Sequence, residues 1–297
     1  MPSRGRSKTF DIKKTGLKYR GEVMSLIIQK FGGTSVADLE RIRHVAKRVV
    51  ATYDQGNDVA VVLSAMSGIT DNLIDMAREV TEAPDGRELD VLLATGEQTT
   101  SALLAMMLKS MNYPAQSLLG HQVEVVTDYC HGNARIVDIK ADRIKKLLQE
   151  RYIVVIAGFQ GCDPDGNITT LGRGGSDTSA VAIAAALKAD MCEIYTDVDG
   201  IYTADPNICQ KARKLSSISY DEMLNMASLG AKVLQIRSVG FAKKFNIPVH
   251  VRSSFSEEEG TMVVNENSGM ERLVVSGVTH DKNQARITLK KVPDQPG

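Results

Sequence analysis

Mostly apolar runs alternate with amphipathic stretches along the chain. In the stretch 37–53 apolar residues recur every three to four positions, with charged residues between them, which predicts a helix. Short apolar runs predict strands covered on both faces, as in a parallel sheet. The predicted strands are 26–28, 58–63, 114–119, 152–157, 191–195 and 247–251. The predicted helices are 37–53, 73–80, 101–111, 139–150, 178–187, 220–229 and 231–245.

This alternation predicts an α/β fold with a mostly parallel sheet. The polar segment 121–138 interrupts it, and we expect only short, irregular strand pieces there. A hairpin-type turn is expected at 163–166, where the sequence is Asp-Pro-Asp-Gly. Ligands of such folds lie at the carboxyl ends of the strands, so loops that follow strands are the places to look for chemistry.

Two glycine-rich loops follow predicted strands and precede predicted helices. The first is Lys-Phe-Gly-Gly-Thr-Ser at 30–35, and the second is Gly-Arg-Gly-Gly-Ser-Asp at 172–177. Glycine lets a backbone approach an anion closely, and a helix N-terminus presents free N–H groups. Either loop alone is equally well explained as a turn that joins a strand to a helix. Together they favour a phosphate or carboxylate ligand.

Other candidate groups carry weaker signals. Glu97 stands at a predicted helix start, where an acid is electrostatically favourable without any ligand. The acids of 196–205 could suggest a metal, but their spacing does not match a calcium-binding loop. The five histidines have no metal-ligand spacing, so no metal site is predicted. No Gly-x-Ser-x-Gly motif is present, which argues against an α/β-hydrolase.

Composition narrows the class of protein. The 297 residues are 43% hydrophobic, carry a net charge of zero and have a mean hydropathy of −0.14, as in an ordinary globular protein. Neutral charge, 5% aromatics and no tryptophan give no sign of a nucleic-acid binder. No apolar run reaches membrane-spanning length. Four widely spaced cysteines and no secretory signal favour reduced thiols in the cytoplasm.

Three motifs in the same order resemble the aspartokinases, which have the amino-acid kinase fold. They are the two glycine-rich loops and Thr-Asp-Val-Asp-Gly-Ile-Tyr-Thr-Ala-Asp-Pro at 196–206. Shorter matches at 230–234 and 251–254 extend the resemblance over about residues 25–265. The fold so implied is a three-layer αβα sandwich around an open, mostly parallel eight-stranded sheet.

The resemblance also implies a domain organisation. Residues 25–266 would form the amino-acid kinase catalytic domain. Residues 267–297 would be the start of a truncated ACT regulatory region, unable to bind lysine or threonine alone. The basic segment 1–24 would be a disordered tail or lie upstream of a natural start at Met24.

The activity implied is transfer of the ATP γ-phosphoryl group to the β-carboxylate of L-aspartate. The product, 4-phospho-L-aspartate, begins lysine, threonine and methionine synthesis. ATP is the co-substrate, and Mg²⁺ would be held largely by phosphates and water. The expected partners are aspartate, ATP and further subunits of a homo- or hetero-oligomer, with no nucleic acid and no membrane.

Site residues follow from the resemblance by matching position. Catalysis is implied for Lys30, which would neutralise the transferring phosphoryl, and for Asp177, which would orient lysines. ATP contacts are implied for Lys30, Phe31, Gly32, Gly33, Thr196, Asp197, Tyr202, Asp205, Lys232 and Val233. Aspartate contacts are implied for Ser64, Thr70, Glu97, Phe159, Arg173 and Ser176. Among these, Glu97 would bind the α-ammonium and Arg173 the α-carboxylate. Asn207 stands where an arginine is common in the family.

Two alternatives stay open at this stage. A sister amino-acid kinase could act on glutamate, acetylglutamate or a nucleotide. A non-catalytic fragment could fold and serve only in assembly or regulation.

Overall fold

A mixed sheet of eight strands forms the centre of the computed structural model, which describes residues 18–19, 22–231, 233–266 and 277–279. The strands are β1 (Lys18–Tyr19), β2 (Glu22–Val23), β3 (Leu26–Phe31), β4 (Asp58–Leu63), β5 (Ala115–Leu118), β6 (Val125–Thr127), β7 (Ile136–Ile139), β8 (Ile153–Ala157), β9 (Gln160–Cys162), β10 (Ile168–Thr170), β11 (Met191–Thr196), β12 (Ser217–Ser219), β13 (Val249–Ser253) and β14 (Thr261–Val264). The helices are α1 (Leu39–Asp54), α2 (Ile69–Val80), α3 (Gly86–Ser110), α4 (Asp142–Gln149), α5 (Gly175–Leu187), α6 (Tyr220–Ser228) and α7 (Ile236–Phe245). Short 3₁₀ turns occupy Gly33–Val36 and Gly120–Val123.

The strand order of the central sheet is β12-β14-β13-β11-β3-β4-β8-β5. Neighbouring strands run parallel except β13 and β14, which pair antiparallel. The predicted open, mostly parallel eight-stranded sheet is therefore confirmed.

Each face of the sheet has its own hydrophobic core. Alternate residues of β4 point to opposite faces. Val59 and Val61 pack with the apolar sides of α1 and α3. Ala60 and Val62 pack with residues of α4, α5, α6 and α7 on the other face. The three-layer αβα sandwich is confirmed by these two cores.

The chain order creates a crevice beside β3. From β3 the chain passes through α1 to β4 on one side, whereas β11 pairs with the other side of β3. Connections that leave neighbouring strands in opposite directions open a crevice at the carboxyl ends of those strands. Both ends carry motif residues, because β3 ends at Lys30-Phe31 and β11 at Tyr195-Thr196.

Two elements differ from the prediction. The segment 121–138 and the hairpin at 160–170 form a separate four-stranded sheet of order β10-β9-β6-β7, whose strands are too short for a clear alternation pattern. Helix α3 begins at Gly86, not at residue 101. Thr95 and Gly96 interrupt its apolar pattern, but Asp85 caps its N-terminus by accepting the N–H groups of Arg87 and Glu88.

Helix α3 bears on the expectation that no apolar run reaches membrane-spanning length. Among the described residues it is the one helix whose length and apolar composition would suffice, and 50% of that stretch is buried inside the fold. Leu104 and Leu108 of this helix belong to the core with α1 and the sheet, which is how a core helix of a globular domain packs. The predictions for 1–24 and 267–297 lie outside the described residues, apart from 18–19, 22–24 and 277–279.

Gly96 allows α3 to approach the loop that follows β4. A Cβ at this position would lie 2.7 Å from the Cβ of Ala65 in that loop. The loop is further tied to α3 by two hydrogen bonds, from Ala65 N–H to the Glu97 carboxylate and from the Thr100 hydroxyl to the Ser64 carbonyl. Gly96 is therefore a contact position, although glycine is otherwise unfavourable inside a helix.

We expect Gly96→Ala to lower the free energy of unfolding by about 1–3 kcal/mol, since overpacking outweighs the gain in helix propensity. The matched control is Gly240→Ala in α7, where a Cβ would meet no described atom within 4 Å. Propensity alone should raise the stability of that control by up to ~1 kcal/mol. Urea unfolding of both variants tests this, and a Gly96→Ala variant as stable as wild type would contradict the close contact.

Candidate active site

A cavity of about 330 Å³ opens at the carboxyl ends of β3, β4 and β8. The structure places both predicted catalytic residues, Lys30 and Asp177, in its wall. All six predicted aspartate contacts also line it, together with Gly33. These six are Ser64, Thr70, Glu97, Phe159, Arg173 and Ser176. Residues from five separate stretches of the chain therefore meet at one place.

An ion pair between sheet and helix forms one end of the cavity. Lys30, near the end of β3, and Asp177, in the first turn of α5, approach to 2.6 Å between Nζ and Oδ1. Both side chains are nearly buried, with 10% and 12% exposed. In such surroundings each charge needs the other, because removal of one partner would leave an uncompensated buried charge.

The N-terminus of α5 presents an anion site to the same cavity. Gly172 and Gly174 both adopt left-handed backbone conformations, with φ of 74° and 71°, and so turn the chain sharply into the helix. A Cβ at Gly174 would also lie 1.8 Å from the Gln235 side chain. The first N–H groups of a helix have no acceptor within it and lie at its positive end, so Ser176 and Asp177 N–H groups suit an anionic ligand.

Glu97 projects from the middle of α3 and is 3% exposed. Its Oε1 accepts the Ala65 N–H at 3.0 Å, while its Oε2 is buried and has no hydrogen-bond partner among the described residues. Burial raises the pKa of this carboxyl to about 7, and nearby Lys30 acts in the opposite direction. A buried carboxylate oxygen without a donor is suited to a cationic group of a ligand.

Arg173 lies between the two left-handed glycines, is exposed and lines the cavity. No hydrogen bond or ion pair within the described part of the chain engages its guanidinium. A guanidinium can bind a carboxylate with two parallel hydrogen bonds. The cavity thus has one available carboxylate oxygen and one available guanidinium, the complement of a zwitterion.

Two predicted ATP contacts, Lys30 and Gly33, line this cavity, and the others among the described residues do not. Thr196 ends β11, beside the end of β3, and Asp197 follows it as an exposed residue. Further along, the Tyr202 hydroxyl donates to the Asp199 carboxylate at 3.0 Å. Asp205 is exposed and accepts the Asn207 N–H, which stabilises its own turn. Val233 is half-buried, and Lys232 lies outside the described residues.

Two predicted ATP contacts, Phe31 and Gly32, have a side chain or an N–H group that is already engaged within the protein. The Phe31 side chain is 1% exposed and stacks on Tyr195, with ring centroids 4.6 Å apart, because it belongs to the core beneath α1. It is not available to a ligand. The Gly32 N–H donates to the Tyr195 carbonyl at 3.2 Å, since pairing with β11 continues one residue beyond β3. That N–H is therefore already used, whereas Gly33 begins a 3₁₀ turn and lines the cavity.

Lys214 was not singled out from the sequence, and Asp199 was considered there only among the acids of 196–205. Lys214 Nζ lies 3.5 Å from Asp199 and 2.5 Å from Glu258, so it joins the loop after β11 to the turn before β14. Spacing along the chain gives no signal for these pairs, because they span 15 and 44 residues.

Comparison with known proteins identifies the class. The amino acid kinase family model matches residues 25–253, and the chain belongs to this family. Within it, the chain is similar to aspartokinases. It is 53% identical to the aspartokinase of Mycolicibacterium smegmatis over 277 residues, which cover 92% of this chain and 66% of that protein. It is 54% identical to the aspartate kinase of Pseudomonas putida over 275 residues, which cover 92% of this chain and 67% of that protein.

Solved structures agree with this placement. The aspartate kinase from Synechocystis has a TM-score of 0.73 and 51% identity, over 82% of this chain and 40% of that one. E. coli aspartokinase III, solved with aspartate and ADP, has a TM-score of 0.74 and 31% identity over 82% and 65%. A UMP kinase from Bacillus anthracis, at 19% identity, shares the fold alone. The chain spans about two thirds of the length of the curated relatives it matches.

Glu97 makes stability depend on pH in a defined direction. Its carboxyl has a higher pKa in the folded state, about 7, than in the unfolded chain, so the folded state holds the proton more tightly. The stability that this group contributes is fully present at pH values below its pKa in the unfolded chain. It falls by about 3 kcal/mol as the pH rises through its pKa in the folded state.

We expect the stability difference between wild type and Glu97→Gln to shift in favour of the variant between pH 5 and pH 8. Glutamine keeps an acceptor for the Ala65 N–H but carries no charge. Urea unfolding of both proteins at the two pH values measures this. A difference that is the same at both would show that Glu97 does not titrate with a raised pKa.

Proposed function

We propose that this chain is an aspartate kinase catalytic domain, which transfers the γ-phosphoryl group of ATP to the β-carboxylate of L-aspartate. The product is 4-phospho-L-aspartate, the first intermediate on the route to lysine, threonine and methionine. The observation that carries the proposal is the cavity itself. It combines an unpartnered carboxylate oxygen on Glu97, an unpartnered guanidinium on Arg173 and the Lys30–Asp177 pair.

The amino-acid substrate would be held by its two α-substituents. Glu97 Oε2 would accept the α-ammonium, and Arg173 would bind the α-carboxylate with its planar fork. The remaining wall is formed by Ser64, Thr70, Phe159 and Ser176. With both α-groups held, the side-chain carboxylate is the free nucleophile, and fixing it in place supplies much of the rate.

Lys30 would act on the phosphoryl group. Phosphoryl transfer requires mainly positioning and neutralisation of the charge that spreads over the phosphoryl oxygens. The Lys30 ammonium can supply that charge without moving a proton, and Asp177 holds it in place. The N–H groups at the start of α5 add a second source of positive potential.

The nucleotide would lie beyond the cavity, along the end of β11 and the loop after it. Thr196, Asp197, Tyr202, Asp205, Lys232 and Val233 remain its proposed contacts, with Gly33 approaching the phosphates. No cluster of three or more potential metal ligands occurs among the described residues, and Asp177 is paired with Lys30. Mg²⁺ therefore fits as a companion of ATP that neutralises the phosphates, held by their oxygens and by water.

Glutamate carries the same two α-groups as aspartate, whereas the alternative acceptors that lack an α-ammonium are less well supported. An N-acetylated amino acid or a nucleoside monophosphate has no α-ammonium, and would leave the buried Glu97 carboxylate without a partner. The intact Lys30–Asp177 pair argues against a fragment that has lost catalysis. Oligomeric assembly of the whole protein stays a prediction from the resemblance, and its cytoplasmic location stays a prediction from the cysteine pattern and the sequence start.

Aspartyl-hydroxamate formation with ATP and Mg²⁺ tests the activity. We expect aspartate-dependent turnover by wild type and none with N-acetylglutamate. Lys30→Ala should lower kcat by about 10³-fold, as expected for loss of a group that stabilises transition-state charge. The matched control is Lys145→Ala, which removes an exposed lysine of α4 and should leave turnover unchanged. Absence of aspartate-dependent ADP release from folded wild type would overturn the proposal.

A further inference from the structure

Helix α3 carries a second buried carboxylate that is not part of the cavity. Asp90 is 0% exposed and lies seven residues before Glu97, which is two helical turns and hence the same side of the helix. Unlike Glu97, it is fully engaged. It accepts the Gly132 N–H at 3.0 Å and the Thr170 hydroxyl at 2.5 Å, and the His131 Nδ1 lies 2.8 Å away.

Thr170 lies three residues before Arg173 in the chain, and the backbone between them is held by hydrogen bonds. The Thr170 carbonyl accepts the Ala134 N–H at 2.9 Å. At the next residue, the Leu171 N–H donates to the Phe159 carbonyl at 2.8 Å, and the Leu171 carbonyl accepts the Arg237 guanidinium at 2.6 Å. The backbone is thus held as far as Leu171, two residues before Arg173.

Beyond Leu171 only the neighbouring glycine Gly172 separates this held backbone from Arg173, which has no partner of its own. The backbone that carries Arg173 is therefore fixed on both sides, before it by these residues and after it by the start of α5, where the Gly175 N–H donates to the Gly172 carbonyl at 2.9 Å. Asp90 anchors this backbone to α3, because its carboxylate accepts the hydrogen bond from the Thr170 hydroxyl.

We propose that Asp90 is a positioning residue that sets the separation between Glu97 and Arg173. Helix α3 holds Glu97 directly and holds Arg173 through Asp90 and Thr170. The spacing between the groups that receive the ammonium and the carboxylate of an amino acid thus depends on one rigid helix. The inference rests on the proposed function for the identity of the ligand, L-aspartate. Its structural part, the anchoring of the 172–177 loop by Asp90, does not.

The physical reason is that two-point recognition tolerates little misplacement. An error of about 1 Å in a positioning group can lower the rate about 100-fold. Asp90→Asn keeps the shape of the side chain, but places an amide group where donors from Gly132 and Thr170 converge. Thr170→Val removes the hydroxyl that reaches Asp90 and leaves the backbone bonds of Thr170 in place. Each variant therefore weakens the same hydrogen bond, between the Thr170 hydroxyl and the Asp90 carboxylate, by changing one of its two partners.

Hydrogen exchange tests the anchor without reference to activity. We expect amides of residues 171–176 to exchange at least about tenfold faster in Asp90→Asn and in Thr170→Val, as befits loss of one hydrogen bond to a charged group. Peptides from α1 should exchange as in wild type and serve as the internal control. Unchanged exchange at 171–176 in both folded variants would overturn the proposal.

Steady-state kinetics tests the consequence. Asp90→Asn and Thr170→Val should each raise the KM for L-aspartate about tenfold and leave the KM for ATP within about twofold. The double variant should be no worse than either single variant, because both break one link. The matched control is Asp58→Asn, which removes the ion pair with Arg151 at the start of β4 and should change neither KM.

The outcomes separate the two hypotheses. A wild type that shows no aspartate-dependent turnover defeats the proposed function, and hydrogen exchange still decides whether Asp90 anchors the loop. An active wild type whose Asp90→Asn variant loses thermal stability with both KM values unchanged shows that Asp90 only stabilises the fold, and defeats the positioning role.

Discussion

The buried ion pair between Lys30 and Asp177 is the interaction on which the rest of the site depends. It requires that the end of the central strand β3 contact the first turn of α5, and both glycine-rich loops bring these two ends together. Two nearly buried charges stabilise a structure only when they are paired. The pair also leaves the ammonium facing the cavity, where the proposed reaction needs it. The Lys30–Asp177 pair therefore links the fold to the positive charge that the proposed phosphoryl transfer requires.

Helix α3 shows how similar carboxylates in one element can have different roles. Asp90 receives three donors and is satisfied within the protein. Glu97, two turns later, has an unpartnered oxygen and a raised pKa, which leaves it able to receive a ligand. Their environments therefore separate the structural acid, Asp90, from the acid proposed to bind the ligand, Glu97. Gly96 brings this helix against the loop after β4, so that the Ala65 N–H can orient the Glu97 carboxylate.

Much of the architecture could be predicted from the pattern of apolar residues. Strands such as β4 and β8 are continuous apolar runs, because they are covered on both faces. For the second sheet, short strand pieces at 121–138 and a hairpin turn at 163–166 were expected, but not the strand bounds or their pairing into one sheet, since three or four residues carry little periodic signal. The early turns of α3 were missed because Thr95 and Gly96 break its apolar pattern. Thr95 is exposed and its hydroxyl donates back to the Leu92 carbonyl, whereas Gly96 is buried against Ala65.

The site was predicted in outline from motifs, but the motifs do not show which groups are free to bind a ligand. Lys30, Glu97, Arg173 and Asp177 do meet in one cavity. Phe31 and Gly32 lie within the same motif, but strand alternation turns the Phe31 ring into the core, and pairing with Tyr195 uses the Gly32 N–H. Motif membership cannot separate residues that touch a ligand from residues that hold the motif in place. The role proposed for Asp90 could not be predicted from the sequence, because its hydrogen-bond partners lie 41 to 80 residues away along the chain.

The central claim is that Glu97 and Arg173 hold the two α-groups of an amino acid. Calorimetric titration with L-aspartate, succinate and 3-aminopropanoate tests it most directly, because succinate lacks the ammonium and 3-aminopropanoate lacks the α-carboxylate. Glu97→Gln should abolish the preference for aspartate over succinate and keep the preference over 3-aminopropanoate. Arg173→Gln should do the reverse. Equal weakening of all three ligands in both variants would contradict the account.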